Sequence, residues 1–137
     1  MAPLPMVRQR GDTSCGVACA AMLAREESLV KIRQRIHFGN DHDDRTYPKD
    51  LRSTLKTFKR RLGRAVKTQD WSLLIGRRVH ALAAIRYRKS GEKPGRWHWV
   101  VFDGYRARPA VLDPEKGLRR DFGRMRLHWY HLISHVA

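Results

Sequence analysis

Cys15 follows a polar run and opens a run of small and apolar residues. Residues 11–14 are types that favour turns and helix N-caps, and the segment from Cys15 to Ala24 favours or tolerates a helix. The pattern predicts that Cys15 lies in the first turn of a helix, where exposed backbone N–H groups and the helix dipole stabilise a thiolate. A thiolate there could act as a nucleophile. A small buried cysteine is an equally weighted interpretation of this stretch taken alone.

A cysteine nucleophile needs a base within hydrogen-bond reach and a group that orients the base. His98 is the candidate among seven histidines, because it stands at the head of a strand pattern over residues 97–105 that follows a glycine-rich turn. A base at a strand start can face a helix N-terminus across the core. The other histidines considered lie in or beside a loop or in a C-terminal stretch that favours packing or solvent: His37, His42, His128, His131 and His135. Trp97 and Trp99 flank the base and are consistent with either a substrate groove or strand packing.

Asp113 follows His98 by fifteen residues, at the end of the next predicted strand and just before Pro114. Antiparallel pairing through a loop near residues 104–109 would place it beside His98, where a carboxylate fixes the imidazole tautomer and stabilises its charged form. Taken alone, Asp113 is also consistent with an ordinary Asp-Pro turn. The backbone N–H of Cys15 is one candidate oxyanion donor. Gln9, six residues upstream, is a second that its spacing alone favours only weakly.

Helix patterns occupy the first part of the chain and strand patterns the second. Helices are predicted from Cys15, over residues 29–36, and from Thr46 as cap to Gly63 as stop, the last with the apolar stripe Leu51, Leu55, Phe58 and Leu62. Asp70 is predicted to cap a single helical turn, and strands are predicted over residues 65–66, 79–87, 97–105, 110–112 and 132–136. Residues 119–130 are consistent with a strand or a short helix. The order predicts an α+β fold, with N-terminal helices packed on a C-terminal antiparallel β-sheet, in one domain spanning residues 1–137.

Charge and composition restrict the partners more than the reaction. The chain carries 29 Lys and Arg against 13 Asp and Glu, a net charge of +16, which favours polyanionic partners such as nucleic acid, an anionic membrane face or an acidic protein. No apolar run is long enough to span a bilayer and the N-terminus lacks a signal-peptide pattern, so we expect a cytoplasmic protein, with signal-less export as an alternative.

No metal site or disulfide is predicted. Cys15 and Cys19 lie one helical turn apart, where a disulfide would be strained, and the ligands needed to complete a zinc site are missing from the pattern. The acidic residues around His42, in residues 38–45, are more consistent with a solvated loop than with a metal site.

Three segments together resemble a known family: Gln9-x5-Cys15-Gly-Val-Ala-Cys19, Gly95-Arg-Trp-His98-Trp-Val-Val, and Val-Leu-Asp113-Pro-Glu-Lys-Gly. They resemble the bacteriocin-processing peptidases of family C39, in family order and at about family spacing. The resemblance implies a papain-like cysteine peptidase fold, with Cys15 as nucleophile, His98 as general base and acid, Asp113 as its orienting group and Gln9 as oxyanion donor. It implies hydrolysis of a peptide or amide bond through a thioester, without metal or organic cofactor, and a structural role for Cys19.

The sequence also departs from that family. Without a membrane span or an ATPase, we expect a free-standing domain and not the front end of an exporter, and nothing in the sequence marks a groove for a double-glycine leader. The positive charge suggests a different client, such as an acidic peptide or protein. One alternative is a secreted or toxin-like effector that uses the thiol as a deamidase or acyl transferase. Another is a basic nucleic-acid-binding module, whose candidate contacts are Arg52, Lys56, Lys59, Arg60, Arg77, Arg78, Arg119 and Arg120.

Overall fold

The computed structural model describes residues 3–10, 15–26, 29–35, 46–88 and 95–135. Its helices are α1 (Cys15–Ala24), α2 (Leu29–Arg33) and α3 (Pro48–Thr57). Its strands are β1 (Arg60–Leu62), β2 (Val66–Lys67), β3 (His80–Arg88), β4 (Arg96–Asp103), β5 (Ala110–Asp113), β6 (Gly117–Arg119) and β7 (Leu127–His135). Two short 3₁₀ turns, Trp71–Leu73 and Phe122–Arg124, complete the described elements. The predicted α+β order, with helices first and sheet second, is confirmed.

The strands form one antiparallel sheet in the order β1-β7-β3-β4-β5-β6, and β2 also pairs with β7. The three long strands β3, β4 and β7 are central. Strand β5 pairs with only the last part of β4, with Val101 opposite Leu112 and Asp103 opposite Ala110. The end of β5 therefore points back toward the start of β4, which is the geometry that brings Asp113 near His98.

The two faces of the sheet bury two apolar cores. On one face, alternate residues of β4 such as Trp99 and Val101 pack with α1. On the other, Val100 and Phe102 pack with Trp71 of the first 3₁₀ turn. The α1 helix is buried from Cys15 to Leu23, so it is enclosed on all sides.

Helix α3 is shorter than predicted, because its last predicted turn leaves the helix and joins the sheet. The helix ends at Thr57, Lys59 adopts a left-handed φ of 60°, and Leu62 pairs with Ile133 of β7. The N-cap is Tyr47 and not Thr46, since the Tyr47 N–H donates to the Asp50 carboxylate at 2.8 Å. The left-handed residue stops the helix and the edge of β7 captures the chain that follows, so the apolar spacing at Leu62 serves a strand.

The helix predicted over residues 29–36 ends at Arg33, and the last strand begins at Leu127 instead of Leu132. The other predicted elements lie within two residues of their predicted bounds. The Asp70 carboxylate accepts from the Ser72 N–H at 2.9 Å, so its predicted capping role is confirmed. The ambiguous residues 119–130 hold the end of β6, a 3₁₀ turn and the first part of β7. The loop that contains His37 and His42 lies outside the described residues. Within the described ranges, no helix combines the length and apolarity needed to cross a bilayer.

Candidate active site

Cys15 is the first residue of α1, and its side chain is nearly enclosed at 9% exposure. The next residue must be small: a Cβ built on Gly16 would overlap the Thr46 hydroxyl and lie 3.2 Å from the Trp99 ring. The absent side chain lets the first turn of α1 press against Thr46 and β4. The cysteine is thereby held against the strand that carries His98.

His98 lies between a thiol and a carboxylate. Its Nε2 is 2.7 Å from Oδ1 of Asp113, and the ring also makes a hydrogen bond with the Cys15 side chain. Because Asp113 occupies Nε2, Nδ1 is the nitrogen left to face the sulfur. The structure thus brings together three residues that the sequence separates by up to 98 positions (113 − 15).

Asp113 is fully buried, and its two carboxylate oxygens have different partners. Besides His98, Oδ1 accepts from the backbone N–H of Glu115 at 2.9 Å and of Lys116 at 3.3 Å. Oδ2 accepts from Nη1 of Arg119 at 3.2 Å. Burial acts to raise the pKa of Asp113, but the hydrogen bond and charge of His98, the Glu115 N–H and Arg119 outweigh it and hold the pKa well below its usual range.

The contact between His98 and Asp113 that lowers the pKa of Asp113 raises the pKa of His98. Burial disfavours the charged ring, but the hydrogen bonds to Asp113 and Cys15, together with their charges, raise the pKa of His98 from 6.5 to about 9. The arrangement therefore favours an imidazolium at neutral pH. An imidazolium beside a thiol at a helix start stabilises the thiolate, which is the reactive form of cysteine.

Gln9 lies beside the turn that carries Asp113. Its backbone N–H donates to the carbonyl of Pro114 at 2.8 Å, and Nη2 of Arg8 donates to the carbonyl of Glu115 at 2.5 Å. These bonds fasten the segment before α1 to the turn between β5 and β6. The backbone of Gln9 is thus fixed near the site. Its role as an oxyanion donor stays a prediction.

Arg119, which the sequence predicts as a nucleic-acid contact, lies instead against Asp113 in the candidate site. It pairs with Asp113 and, through Nε and Nη2, with both carboxylate oxygens of Asp121 at 2.9 and 2.6 Å. Its side chain is only 16% exposed, so it does not present a free cation to nucleic acid. Its position in the sequence, just after the turn that carries Asp113, could have indicated this contact. In the structure Arg119 is paired with Val111 of β5.

The two tryptophans that flank His98 differ in role. Trp99 is 1% exposed and its indole N–H donates to the carbonyl of Thr46 at 3.1 Å, so it is a packing residue. Trp97 is half-buried, 5.1 Å from the ring of Trp129 and 5.8 Å from that of Tyr47. Of the two, only Trp97 presents ring surface at the start of β4 where a substrate could contact it.

The remaining cysteine and the buried C-terminal histidine are structural. Cys19 is completely buried, and that burial raises the pKa of its thiol well above the usual value. His131 donates from Nδ1 to the carbonyl of Gly63 at 2.9 Å, while its Nε2 accepts from the Trp129 indole at 3.1 Å. With both ring nitrogens engaged in this way the ring is neutral, and burial lowers its pKa.

A second buried His–Asp pair lies at the other end of β4 and escaped the sequence analysis. His80 Nε2 is 3.3 Å from Oδ1 of Asp103, whose Oδ2 accepts from the Leu4 N–H at 2.8 Å and lies 3.2 Å from Nε of Arg106. Neither of the two cysteines lies in this cluster: both belong to α1. Its contacts hold the N-terminal segment against the sheet, so we interpret it as an anchor. Within the described ranges, no group of three or more His, Cys, Asp or Glu residues is arranged to hold a metal ion.

Comparison with known proteins identifies the fold. No protein-family model and no curated protein matches the sequence. Among solved structures, the chain is similar to a double-glycine motif protease from an AMS/PCAT transporter, solved in complex with the leader peptide, at 15% identity and a TM-score of 0.66 over 99% of each chain. It is also similar to the peptidase domain of Streptococcus ComA, a bifunctional ABC transporter of a quorum-sensing pathway, at 16% identity and a TM-score of 0.62 over 100% of each chain. The predicted papain-like peptidase fold of the C39 type is confirmed.

Proposed function

We propose that the protein is a cysteine peptidase that cleaves a peptide bond with Cys15 as nucleophile, His98 as general base and acid, and Asp113 as the residue that orients His98. The observation that carries the proposal is the position of His98, which is hydrogen-bonded to a buried carboxylate on one side and to a helix-start thiol on the other. The peptidase fold adds independent support.

The reaction starts from the ion pair of the Cys15 thiolate and the His98 imidazolium. The sulfur attacks the carbonyl carbon of the scissile bond, and the oxyanion that forms is stabilised by the backbone N–H of Cys15 and, in this proposal, by the Gln9 amide. The bond to nitrogen then breaks as His98 gives its proton to the leaving amine, which leaves a thioester on Cys15. His98 next takes a proton from water, the hydroxide attacks the thioester, and the acid leaves with Cys15 again a thiolate.

The proposed substrate is a peptide or a flexible protein segment. The similar transporter protease was solved in complex with the leader peptide, which supports a peptide as substrate. In this protein the accessible part of the Trp97 ring would form one wall of the groove that holds the peptide. Asp113 is buried behind His98, and a substrate carbonyl therefore approaches from the Cys15 side.

The nucleic-acid alternative receives less support from the contacts. Two of its candidate residues are already engaged: Arg60 donates to the carbonyls of Leu23 and Phe58, and Arg119 pairs with Asp113 and Asp121. A deamidase or acyl transferase would use the same thiol, and its product distinguishes it from a peptidase. A test of the peptidase proposal must therefore identify the product as well as the loss of substrate.

The test uses the purified protein with a proteome-derived peptide library, and mass spectrometry reads both new peptide termini and changes of Gln to Glu. We expect new termini with the wild type and none with Cys15→Ala or His98→Ala. Cys19→Ala is the matched control, since it removes the other thiol of the same helix and leaves Cys15 in place. Gln-to-Glu conversion without cleavage, or cleavage that persists in Cys15→Ala, would contradict a Cys15 peptidase.

A further inference from the structure

Two arginines face each other at the edge of the candidate site. Arg88, the last residue of β3, is directly opposite Arg96, the first residue of β4, and both side chains are exposed. Residues paired in this way have Cβ atoms about 5 Å apart, and like charges directly opposite one another destabilise a sheet. Within the described ranges, no carboxylate forms an ion pair with either arginine. Among the described residues, nothing therefore offsets the like-charge pairing of Arg88 with Arg96.

A β-bulge creates this pairing. From His80–Asp103 to Ile85–His98 the two strands keep one register, which would bring Tyr87 opposite Arg96 if it continued. One extra residue on β3 shifts the register and brings Arg88 there instead. Arg86, within the bulge, adopts a left-handed φ of 54°, a conformation that non-glycine residues rarely take. The backbone thus departs from regular geometry at the point where the two arginines meet.

The bulge also places the arginines next to the proposed reaction. Arg96 precedes His98 by two residues of the same strand, a distance of about 7 Å along β4. Arg86 is engaged elsewhere, with Nη2 3.3 Å from the Glu115 carboxylate on the turn after Asp113. Tyr87, displaced from Arg96, stacks instead on Trp97, with ring centroids 6.4 Å apart. Among the described residues no carboxylate pairs with Arg88 or Arg96, and strand alternation puts Arg96 on the same side of β4 as His98 and on the opposite side from Trp97.

We propose that Arg88 and Arg96 form a subsite for an Asp or Glu side chain of the peptide substrate. The inference rests on the proposed peptidase function and assigns its substrate class. A carboxylate between the two guanidinium groups accepts charge-assisted hydrogen bonds from both and removes their mutual repulsion, so binding repays the cost of the like-charge pair. The subsite lies at a fixed distance from His98. The acidic residue is therefore expected at one fixed position relative to the cleaved bond, whereas general attraction by the positive protein would give no preferred position.

The first test is positional. In the peptide library, wild-type cleavage sites should be enriched in Asp or Glu at one position, and Arg88→Glu/Arg96→Glu should abolish that preference or reverse it toward Lys and Arg. The matched control is Arg52→Glu/Lys56→Glu on α3, which changes the net charge by the same amount at two exposed residues. The control should keep the preference. No positional preference in the wild type, or equal loss in both double variants, overturns the subsite.

The second test does not depend on catalysis and separates failure of the subsite from failure of the peptidase proposal. In a Cys15→Ala background, fluorescence anisotropy measures binding of a labelled glutamate oligomer and of a labelled single-stranded DNA oligomer. The Arg88/Arg96 variant should bind the glutamate oligomer about tenfold more weakly than the α3 control does. Equal weakening in the two variants, or a loss confined to the DNA oligomer, overturns the inference.

A stability measurement completes the test. The single variant Arg88→Glu replaces a like-charge cross-strand pair by an opposite-charge pair, so the unliganded protein should melt at a higher temperature than the wild type although it loses the acid preference. Replacing an ordinary surface arginine would not be expected to raise the melting temperature and remove the acid preference together. A lower melting temperature together with an unchanged acid preference overturns the inference.

Discussion

Arg119 donates to the one oxygen of Asp113 that His98 leaves open, at 3.2 Å from its Oδ2. The carboxylate is thus held by His98 and two backbone N–H groups on one oxygen and by a guanidinium on the other. Asp121 in turn holds Arg119 through two hydrogen bonds. The orienting residue of the proposed site is therefore itself oriented, by a chain of charges that runs from β6 to the histidine.

Removal of Arg119 should impair the reaction without removing a residue that touches the substrate. We expect Arg119→Ala to lower kcat by about tenfold or more, because a loosened Asp113 lets the His98 ring depart from its productive orientation. KM should change little, and the pKa of the Asp113 carboxyl, followed by NMR titration, should rise because Asp113 loses a cation that lowers it. Arg119→Lys should restore part of the rate.

The control for this variant is Arg120→Ala, which removes the same charge from the next, exposed residue. It should leave both the rate and the Asp113 pKa unchanged. If Arg119→Ala lowers kcat but leaves the Asp113 pKa in place, Arg119 is a structural residue only.

The contacts of His98 also predict the pH dependence of the reaction. The imidazolium is the form that sustains the ion pair, and with a pKa of about 9 it persists through neutral pH and is lost as the pH rises through 9. We therefore expect activity to fall on the alkaline side near pH 9. Asp113→Asn removes the hydrogen bond to a carboxylate and its charge, so the alkaline limb should move to lower pH. NMR titration of the His98 ring in both proteins measures the shift, and equal pKa values would rule out this role of Asp113.

The sequence predicts the candidate site best where reactive residue types lie on elements whose pairing is also predictable. Residue type and strand order predict that Cys15, His98 and Asp113 meet, because a helix start and two consecutive antiparallel strands have few ways to bring such groups together. Neither Arg119 nor His80 was assigned to its cluster, since an arginine in a very basic chain and a histidine in an apolar strand carry no signal of their partners. Their roles depend on tertiary contacts with Asp113 and Asp103.

The errors in the fold have similar causes. Apolar residues at positions 58 and 62 continue the spacing of α3, but a left-handed Lys59 and the open edge of β7 redirect the chain into β1. The bulge that pairs Arg88 with Arg96 was also missed, because a one-residue shift in register leaves no mark in the alternation of a strand that ends there.

The close approach of α1 to Thr46 predicts a cost for any side chain at position 16. A Cβ there would collide with the Thr46 hydroxyl, and the Trp99 ring closes the other side, so either Thr46 or the start of α1 must shift. Gly16→Ala should lower the free energy of unfolding by about 1–3 kcal/mol, as overpacking does in other cores, and should reduce activity because Cys15 is the adjacent residue. Urea denaturation and peptide cleavage measure the two effects. Gly123→Ala is the control, since nothing lies within 4 Å of its Cβ position; equal effects of the two substitutions would contradict the proposed collision.

The Asp103 carboxylate should hold in place the N-terminal segment that leads to Gln9. Its carboxylate accepts from the Leu4 N–H at 2.8 Å, and Arg106, which lies beside it, donates to the Leu4 carbonyl at 2.7 Å. Asp103→Ala removes a buried carboxylate and leaves the buried Leu4 N–H without its acceptor, which costs about 1–3 kcal/mol. Hydrogen exchange under conditions where the variant stays folded should show the Leu4 amide losing its protection.

Hydrogen exchange at the backbone N–H of Gln9 distinguishes release of the N-terminal segment from a general loss of stability. This N–H is bonded to Pro114 at 2.8 Å, at the opposite end of the segment. If Asp103 anchors the segment, exchange at Gln9 should also accelerate while amides of the central strand β4 keep their protection, and kcat should fall because the proposed oxyanion donor is no longer held. Asp121→Ala, at an exposed carboxylate, should leave the Leu4 amide protected. An Asp103→Ala protein in which Leu4 stays protected would show that the segment is held by its apolar contacts instead, since Leu4 itself is 2% exposed.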